Sequence, residues 1–261
     1  MPPSAQRRSE AMSAIEISRE GAVLVLRMAR AEKKNALTGA MYDALSAGLA
    51  EANRDAGIGA VVIFGQKGIF CAGNDIKDFI AFAMGGGIGQ PILNFLKALV
   101  ENEKPLIAGV DGAAIGIGTT LILHCDYAIA STRAQFATPF VDLGLVPEAA
   151  SSLLVPHLMG QRLAFEMLAM GEKFSAERAA ATGLVNRVVA PEALEAETLS
   201  VASAIAAKPR EAVAISRRLM RPDAKTLLDR IAEEAKLFSE RLNSAEARKA
   251  FEAFLNKGSQ K

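Results

Sequence analysis

Short apolar runs, punctuated by glycine, proline or polar residues, recur along the first two thirds of the chain. Residues 22–28 ("AVLVLRM"), 60–64 ("AVVIF"), 106–110 ("LIAGV") and 126–130 ("DYAIA") have the length and composition of buried strands. Between the first two, Thr38 is placed to cap a helix that carries Met41, Leu45 and Leu49 on one face. Strands alternating with helices predict crossover connections and an α/β layer architecture. Residues 84–91 ("MGGGIGQP") interrupt the pattern with a glycine-rich insert, read either as a linker or as a lid over a pocket. After Gly183 the periodicity becomes helical, with breaks at Lys208-Pro209 and Arg221-Pro222. Over residues 227–242 the apolar positions Leu227, Ile231, Ala235, Phe238 and Leu242 form one helical face. Such a face must bury against the main body or a second subunit.

Composition narrows the function classes. A chain of 261 residues, 51% hydrophobic, fits one large α/β domain or one domain with an appendage. A net charge of +1 supplies no field for nucleic acid or an anionic membrane. Cys71 and Cys125 are too few for a disulfide framework or a cysteine-rich zinc module, and the chain reads as cytoplasmic. No apolar run reaches the ~18 residues of a membrane helix. The first residues are polar and lack the apolar core of a secretory signal. Residues 1–13 are expected to be a disordered extension, 14–190 a core domain and 191–261 a helical region.

Several chemistries have no signature here. There is no phosphate-binding loop, no G-x-S-x-G elbow, and "GIGTTL" lacks the third glycine of a dinucleotide fingerprint. The two histidines, His124 and His157, sit among apolar residues and read as packed side chains, so no metal site is expected. Residues 112–125 ("GAAIGIGTTLILHC") read as strand, glycine turn and helix. That turn either frees backbone N–H groups for a developing oxyanion or serves tight helix-on-strand packing. "FCAGNDIKDF" (residues 70–79) has the same form. In "TPFVDLGLVPEAASSLLVP" (residues 138–156), Asp142 and Glu148 are the only carboxylates of an apolar stretch. Glu148, just after Pro147, reads as the start of a helix, and Asp142 as a structural or rim residue.

"KKNALT", "FCAGNDIKDF", "KPLIAGVDGAAIGIGTTLILHCDYAIAS", "FATPFVDLGLVPEAAS" and "SAERAAATGLVNRVV" occur in that order. Together they resemble the crotonase (enoyl-CoA hydratase/isomerase) family over nearly the whole chain from about Ile15. The resemblance implies a crotonase-like spiral of repeated ββα units with a C-terminal helical region that builds a homotrimer or a dimer of trimers. It implies an acyl-CoA substrate, with coenzyme A as part of that substrate and no tightly bound cofactor. It also implies an oxyanion hole made by the backbone amides of Asn74 and Ile117. Contacts to the CoA moiety are implied around Lys33, Lys34, Ala36, Ala72, Asn74, Asp75, Ile76 and Lys77. Phe254 and Lys257 are candidates for reaching a neighbouring subunit's ligand.

The family's hydratases use two glutamates, and this chain has Thr120 and Phe140 at those places. "LGLVPE" is similar instead to the segment in which the Δ3,Δ2-enoyl-CoA isomerases of the peroxisomal type carry one glutamate as base. The resemblance therefore implies an enoyl-CoA isomerase with Glu148 as its proton shuttle. The alternatives are an enoyl-CoA hydratase, with Glu148, Thr120 and a bound water, and a non-catalytic binding module on the same fold.

Overall fold

The computed structural model describes residues 14–76, 78 and 87–258, the last five as backbone only. Residues 1–13, Lys77, 79–86 (which take in the first three residues of the glycine-rich insert) and 259–261 lie outside the described residues.

Ten strands form two sheets. They are β1 (Ile15–Glu20), β2 (Val23–Met28), β3 (Ala60–Phe64), β4 (Ile69–Cys71), β5 (Leu106–Val110), β6 (Ala113–Ile115), β7 (Tyr127–Ser131), β8 (Gln135–Ala137), β9 (Phe174–Ser175) and β10 (Arg187–Val189) among the described residues. The larger sheet runs β1-β2-β3-β5-β7-β10 and the smaller β4-β6-β8-β9. Every pairing is parallel except β1 with β2 and β8 with β9. Consecutive strands thus alternate between sheets: β3 to β4, β5 to β6, β7 to β8. Each ββ step is followed by helical segments, which is the repeated ββα winding expected for the crotonase fold.

The helices are α1 (Gly39–Arg54), α2 (Gln90–Glu101), α3 (Ile117–Thr120), α4 (Ser151–Met159), α5 (Gln161–Leu168), α6 (Ala176–Ala181), α7 (Leu194–Ala206), α8 (Arg210–Met220), α9 (Ala224–Leu242) and α10 (Ala245–Gly258). Thr38 caps α1 by accepting from the Met41 amide at 3.3 Å, and Met41, Tyr42, Leu45 and Leu49 are buried beneath it. None of these helices is long and apolar enough to cross a membrane.

β3 and β5 are buried along their whole length because both faces of the sheet are covered. Val61, Ile63, Leu106, Ala108 and Val110 face the main core with α1 and α2. Ala60, Val62, Phe64 and Ile107 face Ala202 and Ala206 of α7. The sequence pattern located the inner strands to within one residue, but it missed β1, which forms a hairpin with β2 through Gly21 at φ +59°.

Two local expectations are corrected. Glu148 does not begin a helix: α4 starts three residues later, after Ala149 and Ala150, which have φ of +61° and +57°. The buried stripe of α9 is Leu227, Ile231, Glu234, Phe238 and Leu242, with Glu234 at its centre where Ala235 was expected. His157 is also exposed rather than packed, whereas His124 is fully buried.

Candidate active site

A cavity of about 680 Å³ opens between the loop before α1, the turn after β4, the turn before α3 and the segment before α4. That volume suits a sizeable organic ligand. Its first wall, residues 33–36, is welded to β4 by Asn35. The buried Asn35 side chain accepts from the Arg30 amide at 2.8 Å and donates to the carbonyls of Ile69 and Phe70 at 3.2 and 3.0 Å. Lys34 and Asn35 take φ of +51° and +55°, and asparagine tolerates that region better than most residues. Exposed Lys33 and Lys34 are thereby held on the cavity wall.

The second wall carries Asn74. The Leu37 amide donates to the Gly73 carbonyl and the Asp75 amide to the Leu37 carbonyl, at 2.8 and 2.9 Å. In this parallel bridge the Asn74 amide is the one left over. The phenol of buried Tyr42 donates to Asn74 Oδ1 at 2.5 Å, fixing the residue from below. Asp75 is tied back by an ion pair with Arg30 at 2.7 Å.

Ile117 is the first residue of α3, so its amide has no intrahelical acceptor. Among the described residues neither the Asn74 nor the Ile117 amide has a protein acceptor. The glycine turn combines a free amide with close packing, on different glycines. Gly116, with φ +56° and ψ −121°, makes the turn that presents Ile117. Gly118 provides the close packing: a Cβ there would lie 2.6 Å from the Cys71 carbonyl oxygen.

Glu148 lines the same cavity and is only 7% exposed. The Thr120 hydroxyl donates to its Oε1 at 2.5 Å. Burial pushes its carboxyl up to about 8, the Thr120 bond opposes that shift, and the charge of Glu234 adds to it. The helix-start position that would have lowered its pKa is absent. Its backbone is fixed from several sides. His124, neutral because burial lowers its pKa to about 4, donates from Nε2 to the Ala149 carbonyl at 2.8 Å. Glu234 of α9 accepts from the Ala150 amide at 2.6 Å and the Ser152 amide at 3.0 Å.

A match to the enoyl-CoA hydratase/isomerase family model spans residues 18–261. The chain belongs to the enoyl-CoA hydratase/isomerase family. It is 35% identical to enoyl-CoA delta isomerase 2 of Rattus norvegicus over 88% of its own length, but spans only 60% of that relative. It is 30% identical to a probable enoyl-CoA hydratase of Rhizobium meliloti, covering 92% of this chain and 94% of the relative. Among solved structures, OdaA of Pseudomonas aeruginosa superposes with a TM-score of 0.88 at 42% identity, covering 92% of this chain and 98% of that one. The fold is the crotonase fold, and enzymes of this family act on CoA thioesters.

Within this member of the enoyl-CoA hydratase/isomerase family, the cavity gathers Lys33, Lys34, Ala36, Ala72, Asn74, Asp75, Ile76, Ile117 and Glu148 from the sequence-based set. Lys77 and the side chains of Phe254 and Lys257 lie outside the described residues. Asp142 is exposed and does not line the cavity. Phe140 does line it, and so stands as an apolar wall. No group of three or more metal-ligating side chains occurs among the described residues. Sequence reasoning missed Asn35, Tyr42 and Glu234. Asn35 was within reach, as an asparagine inside a motif that was otherwise read for its lysines. Tyr42 and Glu234 needed the fold, because their partners lie 32 and more than 80 residues away.

Proposed function

We propose that the chain is a Δ3,Δ2-enoyl-CoA isomerase in which Glu148 moves the proton and the amides of Asn74 and Ile117 hold the thioester oxyanion. The observation that carries this reading is one buried carboxylate without a cation, on the wall of a cavity that also presents two unpaired amides. The other acids on the cavity wall are engaged elsewhere: Glu32 and Asp75 pair with Arg30, and Asp78 accepts from the Gly39 amide.

The geometry supports the following chemistry. Thr120 occupies Oε1, so Oε2 is the oxygen offered to substrate. Oε2 takes a proton from C2 of the 3-enoyl thioester. The C2–H electron pair delocalises onto the thioester oxygen as a dienolate, and the two amides stabilise that charge. Each such donor is worth on the order of 10²–10³ in rate. The carboxylic acid then returns the proton to C4, the C2=C3 bond forms and the carbonyl is restored. Substrate and product differ by no atom, so one carboxylate suffices. The raised pKa makes Glu148 a stronger base than an exposed glutamate, and its apolar site raises the value of the oxyanion contacts.

Hydratase is the second reading, because a relative of matching length carries that name. Water addition needs a further acid–base group near C3. The Thr120 hydroxyl already donates its one proton to Glu148, and Phe140 has none. On the isomerase reading, Lys33 and Lys34 meet the CoA phosphates at the cavity mouth, with Ala36, Ala72 and Ile76 along the rest of the cofactor's path.

The reading is tested by pH dependence. A general base must be ionised in the free enzyme, so kcat/KM for a 3-enoyl-CoA should rise with pH and level off above the Glu148 pKa, near 8. The appearance of the conjugated thioester reports the rate. A flat profile from pH 6 to 9 would remove Glu148 from the base role.

The homotrimer implied by the family resemblance is also a proposal. Ile215, Leu219 and Met220 of α8 are 42, 78 and 79% exposed, an apolar cluster suited to contact with a second copy. Leu219→Glu should shift the light-scattering mass from trimer toward monomer. An unchanged mass would place the interface elsewhere.

A further inference from the structure

We infer that Glu234 is a positioning residue for Glu148: helix α9 braces the base-carrying segment from behind and sets where its carboxylate stands. The inference rests on the isomerase reading for its catalytic meaning, and on geometry alone for the contact.

Glu234 is 5% exposed, and both of its oxygens are used. Oε2 accepts from the Ala150 amide at 2.6 Å. Oε1 accepts from the Ser152 amide at 3.0 Å and the Ser152 hydroxyl at 2.5 Å. Burial raises the Glu234 pKa, while the bonds from Ser152 and Ala150 oppose that shift and favour the ionised carboxylate. These contacts lie two and four residues beyond Glu148. On the other side, Arg241 of the same helix donates from Nε to the Gly144 carbonyl at 3.1 Å, four residues before Glu148. One helix therefore grips the segment at both ends.

The grip answers a local need. Ala149 and Ala150 both have φ near +60°, a conformation alanine seldom takes and which needs outside support. Glu234 supplies it at Ala150 and His124 at Ala149. Without them, the segment would relax toward an ordinary helix start and carry Glu148 with it. Glu234 also puts negative charge behind Glu148 and disfavours its ionisation. The groups facing Glu148 are Thr120 of α3, Tyr42 of α1, whose own ionisation is opposed by the Glu148 charge, and Glu234 of α9. Glu234 itself faces Ser152 and its helical neighbour Arg230.

The test uses full-length protein with ¹³C-labelled glutamate carboxyls. The resonance lost in Glu148→Gln identifies Glu148, and its titration is followed in wild type, Glu234→Gln and Glu234→Asp. In Glu234→Gln the Glu148 pKa should fall by about one unit. The isomerase kcat should fall by about 10–100-fold, with the larger effect on kcat than on KM. Glu234→Asp keeps the charge but shortens the reach, so the pKa should stay raised while kcat still falls. If Glu234→Gln does not fold, Glu234→Asp and Ser152→Ala, which removes one of the three donors, must each lower kcat. Folded variants with wild-type kcat and an unchanged Glu148 titration would overturn the inference. Should wild type fail to isomerise any 3-enoyl-CoA, the isomerase reading falls, and the carboxyl titration still decides whether Glu234 acts on Glu148.

Discussion

Glu148→Gln is expected to lower isomerisation by about 10²–10⁴-fold while leaving acyl-CoA affinity in place. Glutamine keeps the shape of the side chain and can still accept the Thr120 hydroxyl bond, so neither the cavity nor the oxyanion donors need move. It cannot take a proton from C2. On the one-base reading a single carboxylate performs both proton transfers, so no second group among the described residues is expected to cover its loss. Equilibrium binding of an acyl-CoA and single-turnover kinetics separate the two effects. Retained turnover in this variant would mean that the proton moves through another group.

The same substitution has a consequence for stability. The folded Glu148 carboxyl titrates at about 8 against an ordinary value of 4.5. A raised folded pKa contributes stability that is fully present below 4.5 and is lost as pH rises through 8. Glutamine has no proton to lose. Glu148→Gln should therefore be more stable than wild type at pH 9, by on the order of a few kcal/mol, with the gap closing toward pH 4. Denaturant unfolding at the two pH values reads this directly. Such a gain at the expense of activity is what a strained functional site predicts.

Gly118→Ala is expected to lower kcat by about 10²–10³-fold, the worth of one oxyanion donor. Backbone amides cannot be deleted by ordinary substitution, but they can be displaced. A Cβ at position 118 would meet the Cys71 carbonyl oxygen at 2.6 Å and the Cys71 Cβ at 2.9 Å. Neither is a flexible side-chain end, so α3 must shift, and Ile117 is its first residue. The overpacking should also cost about 1–3 kcal/mol of stability, so turnover is compared well below the melting transition. Wild-type kcat in a folded Gly118→Ala protein would take the Ile117 amide out of the oxyanion site.

Much of this was legible in the sequence. Thr38 before Met41, Leu45 and Leu49 announced α1, and the dense apolar runs at Ala60–Phe64 and Leu106–Val110 announced strands buried on both faces. Glu148 stood out as a carboxylate in an apolar stretch, and it lines the same cavity as Asn74 and Ile117. β1 was missed because only Ile15 of its six residues is buried, so it has no apolar run. The turn at Ala149 and Ala150 was hidden because alanine there suggests a helix, whereas contacts from the distant His124 and Glu234 help hold it otherwise. Glu234 illustrates the same limit. The sequence pattern put Ala235 on the buried stripe of α9, and nothing local pairs residue 234 with residues 150 and 152.

The most direct test of the one-base account is to present purified protein with a 3-enoyl-CoA and, separately, with a 2-trans-enoyl-CoA, and to follow the conjugated thioester absorbance. The account predicts a rise with the first and no decay with the second. Decay of the 2-enoyl signal would show water addition and contradict it.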